Sequence, residues 1–269
     1  MSRYDAYRNV PTLSVDEQRH FRARGYVVPG WRLPTAQLLQ IEDSLARLLS
    51  LHAFDQPAFI RQPHVPGQIE DQIDLAREFF DYLSHRNLCE LVAPLLGPDV
   101  MLAGATLQCG WPSLESTTPW YQPGACWPVD ANLLTCGIAL DDLEPPVAGL
   151  RVRTGSSVLG PLPHQDEASD WPPQALSNPA PQVEAFSCAE LALEAGQVVL
   201  LHGNLVQQSF ATGAAERSAL LLVHYFPTRQ RFDRSRTLGA AAYADHPLWL
   251  VAGHAAEGQH DVDLGHTIW

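Results

Sequence analysis

At Gly97-Pro98 the texture of this chain changes, and that change constrains its fold more than any other feature. Before it, apolar residues recur at helical spacing. After it, short apolar runs are separated by glycine and proline, the pattern of strands in a sandwich or barrel. On the helical side, Ser14-Val15-Asp16-Glu17 reads as a capping box that opens a helix to about Arg24, stopped by Gly25. Tyr26-Val27-Val28 reads as a brief strand ended by Pro29-Gly30, and Leu38, Leu39, Ile41, Leu45, Leu48 and Leu49 predict an amphipathic helix over Pro34–Leu51. Two more helices are expected, from about Ile69 to Leu83 and from Arg86 to Leu96, with Arg61–Gly67 as a loop before them. On the other side the runs are Val100–Leu107, Leu133–Leu140, Leu150–Arg153, Gln197–His202 and Ala219–Phe226, with a long polar loop over Pro161–Pro181. The tail from Thr228 carries four arginines, then acids and histidines, and shows no pattern that assigns a structure.

A length of 269 residues suits one domain, divided as a helical part (about 13–97), a β core (about 98–227) and a C-terminal extension (228–269). Hydrophobic residues at 46% against 17% charged are enough for a sizeable core. A net charge of -13 argues against nucleic acid or an anionic membrane as partner, since both need basic patches. Five scattered cysteines without a Cys-x-x-Cys pair read as reduced thiols, and no long apolar run or leader-like N-terminus occurs, so a cytoplasmic location is expected. The expected partner is a small molecule; oligomeric state is not legible.

Several segments, taken in order, carry a resemblance. They are Gly25-Tyr26-Val27-Val28, Leu96-Gly97-Pro98, Thr118-Pro119-Trp120-Tyr121-Gln122-Pro123-Gly124, Ala139-Leu140-Asp141-Asp142, Gly149-Leu150-Arg151-Val152, Gly155-Ser156-Ser157, and Leu201 to Ser209 followed by Arg217. In this order the chain resembles the phytanoyl-CoA dioxygenase family of iron(II)/2-oxoglutarate oxygenases from about Leu13 to Pro227. The resemblance implies a double-stranded β-helix: a mainly β, cupin-like jelly roll with N-terminal helices packed on one sheet. In that family a His-x-Asp pair and a distal His hold iron, and an arginine about ten residues further on clamps the far carboxylate of 2-oxoglutarate. The matching positions here are Tyr121, Pro123, Gln207 and Arg217, so only the arginine is kept; the Ser209 position, which helps hold 2-oxoglutarate in relatives, also matches.

A neutral phenol, a proline and an amide are poor ligands for ferrous iron, so no metal and no cofactor are expected at that place. Tyr121 and Gln207 can instead bind or polarise a carbonyl, and they are the candidate catalytic pair. Arg217 is read as binding a substrate carboxylate, its alternative being an ordinary surface ion pair; Ser209, Trp120, Trp127 and Gln108 complete the candidate binding set, packed core being the ordinary reading of any one of the aromatics. The function expected is a non-oxidative, metal-independent reaction, such as cyclisation, isomerisation or dehydration, on a small organic molecule in natural-product biosynthesis. Two alternatives stand beside it. One is an Fe(II)/2-oxoglutarate hydroxylase whose iron has moved to His164, Asp166 and His202; the other is a non-catalytic small-molecule binder. His202 stands five residues before Gln207, an odd number, so along an unbroken strand the two would face opposite ways.

Overall fold

The computed structural model describes residues 11–66, 72–112, 114–165, 175–177, 181–212, 216–238, 241–255 and 260. Two helices and a short strand open it: α1 (Val15–Arg24), β1 (Tyr26–Val27) and α2 (Thr35–Leu51). Strand β2 (Phe59–Arg61) precedes α3 (Ile73–Leu83) and α4 (Arg86–Leu96), and the β part then begins with β3 (Val100–Gly110), β4 (Glu115–Thr117), β5 (Leu134–Ala139) and β6 (Ala148–Arg153). After the single turn α5 (Pro181–Glu184) come β7 (Cys188–Leu191), β8 (Val198–His202), β9 (Gln207–Thr212) and β10 (Ser218–Pro227). The short pair β11 (Thr237–Leu238) and β12 (Ala241–Ala242) leads to β13 (Trp249–Ala252).

The capping box expected at α1 forms: Ser14 Oγ accepts from Glu17 N, and Glu17 Oε2 accepts from Ser14 N at 2.7 Å. Gly25 ends the helix in the left-handed conformation at φ 80°, where a Cβ would lie 2.8 Å from Ser157 Oγ and 2.9 Å from Leu205 Cδ1. Glycine is therefore needed twice, for its backbone angle and for the close approach of α1 to the turn before β9. The third helix starts at Ile73; the part of its expected span over 69–71 lies outside the described residues.

Among the described residues the strands other than the separate β11–β12 pair form two antiparallel sheets of a jelly roll, a double-stranded β-helix. The larger has the order β1-β8-β5-β10-β3-β13, with β2 also on β3; the smaller has the order β4-β9-β6-β7. One face of the larger sheet, with Val100, Leu102, Leu107, Ile138, Leu200, Leu221, Val223 and Tyr225, packs on Ile41, Leu45 and Leu48 of α2 and on Leu75, Phe79, Leu88 and Leu91 of α3 and α4. Each leucine buried there contributes about 1.5–3 kcal/mol by transfer from water. Tyr225 also donates to the Leu83 carbonyl at 2.5 Å, tying β10 to the end of α3. The opposite face meets the smaller sheet, where Leu220 and Leu222 of β10 pack on Ala148, Leu150 and Val152 of β6 and Ala211 of β9.

Three findings depart from the sequence reading. Arg61, expected in a loop, ends β2 and pairs with Thr106 of β3. Trp249–Ala252 in the unassigned tail adds β13 to the larger sheet. Counting residues from His202 to Gln207 along one strand does not apply, because β8 stops at His202 and Gln207 opens β9 in the other sheet.

Candidate active site

In the smaller sheet, Gln207 stands opposite Val152 and Ser209 opposite Leu150, so both side chains share the inward face with those core residues. Just outside the regular ladder, Tyr121 forms a two-bond bridge with Gln207, each backbone N–H reaching the other's carbonyl at 2.9 Å. Tyr121 therefore also faces inward, and Gln207 Nε2 donates to its hydroxyl at 2.8 Å. Tyr121, Gln207 and Ser209 are 3%, 0% and 1% exposed, so this contact is made in a dry interior where polar interactions are strong.

Neighbouring segments fix that register. Val206 N–H donates to Ser156 Oγ at 3.0 Å, Arg153 N–H to the Val206 carbonyl, and Gly155 N–H to Arg24 at the end of α1. Gln122 is the clamp on the other side, and sequence reasoning gave it no role. Its amide donates to the Gly160 and Asn204 carbonyls at 2.9 and 2.7 Å and accepts from Leu162 N–H at 2.7 Å, while its own N–H donates to His164 Nε2. Nothing in the sequence distinguishes a buried glutamine of this kind from an exposed one.

Two polar atoms of the inward group find no hydrogen-bond partner among the described residues: Gln207 Oε1 and Ser209 Oγ. Burial pushes the Tyr121 phenol well above its ordinary range and the neighbouring Cys126 thiol adds to this, while Gln207 and the nearby Ser209 hydroxyl act the other way without offsetting it. Tyr121 stays protonated at any physiological pH. Because its oxygen already accepts from Gln207, its own O–H is left as a donor, with Gln207 Oε1 beside it as an acceptor.

The other candidates are dispersed. Trp127 is buried at the same end of the barrel, packed on His224 with ring centroids 5.0 Å apart. Gln108 faces inward further along β3, beside a void of ≈ 10 Å³ lined also by Ser218 and Leu220, about the room of one water. Trp120 packs outside, among Leu162, Leu176, Val183 and Val206, with the Arg153 guanidinium over its ring at 4.9 Å. Arg217 is not brought into the group. The inward positions of β10 are Ser218, Leu220 and Leu222, so Arg217 leaves by the other face and forms a two-bond pair with Asp141, Nε–Oδ2 2.7 Å and Nη2–Oδ1 2.5 Å. Those bonds raise its pKa further, and it lines an acidic groove with Glu42, Asp142, Glu144 and Glu216.

The displaced His-x-Asp candidate is held otherwise. His164 and His202 line one surface groove of ≈ 450 Å³, and Asp166 lies outside the described residues. His164 donates from Nδ1 to the Leu162 carbonyl at 2.8 Å and accepts the Gln122 N–H on Nε2 at 3.0 Å. His202 accepts the Asn204 N–H on Nδ1 at 3.0 Å, and its ring lies 6.2 Å from Phe21 of α1. Burial lowers the pKa of both. Each neutral ring has given its one lone pair to a backbone N–H, which leaves none for a metal. Among the described residues, no three His, Cys, Asp or Glu side chains converge.

Two stacked antiparallel sheets with helices packed on one of them define a double-stranded β-helix protein. The sequence matches the family described as phytanoyl-CoA dioxygenase over residues 21–219, and the chain belongs to that family. Similar solved structures include the apo form of ThoJ, described as a non-heme monooxygenase, at 18% identity over 92% of this chain and 86% of that one with TM-score 0.67. Two others are from nogalamycin biosynthesis, each 17% identical: the alpha ketoglutarate dependent epimerase SnoN (84% of this chain, 86% of that one, TM-score 0.63) and the alpha ketoglutarate dependent carbocyclase SnoK (82% and 86%, TM-score 0.64). No curated protein sequence matches. As a donor set for the ferrous ion the family implies, Tyr121, Pro123 and Gln207 do not fit: the phenol is neutral and already accepting a hydrogen bond, the proline side chain has no ligating atom, and the amide oxygen carries no charge.

Proposed function

We propose that this chain is a phytanoyl-CoA dioxygenase family member that works without iron, catalysing a non-oxidative rearrangement of a small organic molecule in natural-product biosynthesis. The observation that carries the proposal is the buried hydrogen bond from Gln207 Nε2 to Tyr121, the two residues that the sequence resemblance sets against the family's imidazoles. Tyr121 O–H donates to a substrate carbonyl oxygen, and Gln207 Oε1 accepts from a substrate hydroxyl or N–H. A donor fixed in a dry site stabilises charge as it develops on that oxygen. Ring closure by an internal hydroxyl illustrates the chemistry. The C–O bond forms, the carbonyl oxygen becomes a hydroxyl, the proton passes from the attacking to the receiving oxygen, and no oxidant is needed. The epimerase and the carbocyclase from nogalamycin biosynthesis among the structural neighbours support the natural-product setting; both are alpha ketoglutarate dependent, so the iron-free part of the proposal rests on the side chains of this chain alone.

The test is direct. Ferrous iron and 2-oxoglutarate are added anaerobically, the visible charge-transfer band of an iron chelate is sought, and succinate is assayed after air is admitted. The expected result is no band and no succinate above a protein-free control; stoichiometric succinate would remove the proposal.

A further inference from the structure

The groove that holds His164 and His202 carries charges that neither the Tyr121–Gln207 pair nor the displaced His-x-Asp candidate uses. Its volume is ≈ 450 Å³, and Asp130, Asn132, Asn204 and Arg236 line it beside the two histidines. Val129, Leu133, Pro161 and Leu162 supply its apolar wall. Burial lowers the pKa of both histidines, so at neutral pH the charged side chains of the groove are Asp130 and Arg236.

These two are of opposite sign and line one cleft, yet they form no ion pair with each other. Both are exposed, and neither side chain has a hydrogen bond or an ion pair among the described residues. The neighbouring acid Asp233 is engaged elsewhere: it pairs with Arg231 at 3.5 Å and accepts from Ser235 Oγ at 2.6 Å, and Arg236 acts on it more weakly than Arg231 does.

The cleft is preformed. Gly124 N–H donates to the Gly203 carbonyl and Gly203 N–H to the Leu133 carbonyl, each at 2.8 Å, and Gln122 Nε2 holds the Asn204 carbonyl, so segments 124–133 and 202–204 are tied together. Asp130 N–H donates to the Arg231 carbonyl and Arg236 N–H to the Asp233 carbonyl, each at 3.2 Å, which fixes the backbone under both charges. Glycine is needed at position 203, where a Cβ would lie 2.8 Å from the Leu133 carbonyl oxygen. A preformed cleft with a few placed polar groups on an apolar wall is the usual form of a small-molecule site, and its fixed backbone lowers the ordering cost of binding.

Two unpaired charges of opposite sign in one cleft are complementary to a ligand that carries both. A lone anion or a lone cation would meet one attracting and one repelling side chain. We infer that this groove binds an α-amino acid with an apolar side chain, its carboxylate on the Arg236 fork, its ammonium on Asp130 and its apolar part on Val129, Leu133 and Leu162. The guanidinium matches a carboxylate with two parallel hydrogen bonds. The inference goes beyond the proposed function and does not rest on it, since no step of that reaction uses these residues.

Calorimetric titration of the full-length protein in EDTA tests it with three probes on one frame: L-leucine, L-leucinamide, which keeps only the ammonium, and N-acetyl-L-leucine, which keeps only the carboxylate. Leucine is expected to bind saturably and at least tenfold more tightly than either analogue. Arg236→Gln should weaken leucine at least tenfold and leave leucinamide no weaker than in wild type; Asp130→Asn should weaken leucine at least fivefold and leave N-acetyl-L-leucine no weaker. Both side chains are exposed, so both variants should unfold at the wild-type urea midpoint. Arg217→Gln, in the acidic groove, should bind leucine as wild type does. The inference is overturned if leucine does not saturate, if either analogue binds as tightly as leucine, or if Arg236→Gln or Asp130→Asn binds leucine unchanged.

Discussion

His64 gives the most quantitative prediction the fold offers. It is fully buried, its ring 5.0 Å from Trp249, and neither ring nitrogen has a hydrogen-bond partner among the described residues. Burial, with a smaller contribution from neighbouring His246, lowers its pKa to about 3, and burial alone does the same for His224. A folded-state pKa below the unfolded value of about 6.5 means that the unfolded chain binds the extra proton. Stability is then complete above pH 6.5 and falls as pH drops toward 3. At pH 5 each histidine has lost about 2 kcal/mol relative to pH 7.5, and the pair about 4 kcal/mol, a large share of a typical 5–15 kcal/mol.

The perturbation is His64→Leu, read by urea unfolding at pH 7.5 and pH 5.0. Carboxylates titrate in both proteins and cancel in the difference. Wild type should therefore lose about 2 kcal/mol more than the variant between the two pH values. At pH 7.5 the variant should be as stable as wild type or more so, because leucine leaves no desolvated polar atom behind. If the difference between the two proteins is the same at both pH values, His64 is not held neutral by burial and the reasoning fails.

Tyr121→Phe removes the acceptor of the Gln207 amide inside a dry barrel; it should cost about 1–3 kcal/mol by urea unfolding and abolish turnover of the true substrate, as Gln207→Ala should, both followed by product analysis. Gly104→Ala forces a Cβ against Trp127 and Gln62, and a loss of about 1–3 kcal/mol with a shifted tryptophan emission is expected. Gln122→Ala releases three backbone groups at once, Gly160, Asn204 and Leu162, and should lower stability, measured by urea unfolding. Arg217→Gln, at a partly exposed ion pair, should change stability by about 1 kcal/mol or less.

The fold was legible because its signals are local and ordered. The capping box at Ser14, glycine at position 25, and the switch from helical to strand-like spacing at Gly97-Pro98 each state a backbone geometry directly, and all three match the structure. What escaped were elements whose identity comes only from a partner. Glu115–Thr117 is three polar residues made a strand by pairing with β9, and Trp249–Ala252 becomes one by pairing with the start of β3.

The same distinction decides the site. Tyr121 and Gln207 could be paired from the sequence because each belongs to a segment that the family places opposite the other, and their bridge is one of backbone to backbone. Arg217 matched the family's spacing equally well, yet spacing does not state which face of a strand a side chain leaves by. One residue decides it: with Ser218 inward and opposite Gly110, Arg217 points toward α2, and Asp141 at the end of β5 is there to receive it. Arg61 shows the converse. Between Ile60 and Gln62-Pro63 nothing marks it as inward, and only its pairing with Thr106, on the barrel face of β3, assigns it to that face. A cation's role in a jelly roll is thus a property of register, and register is carried by the partner strand, β3, which no local reading of residues 59–61 or 217 contains.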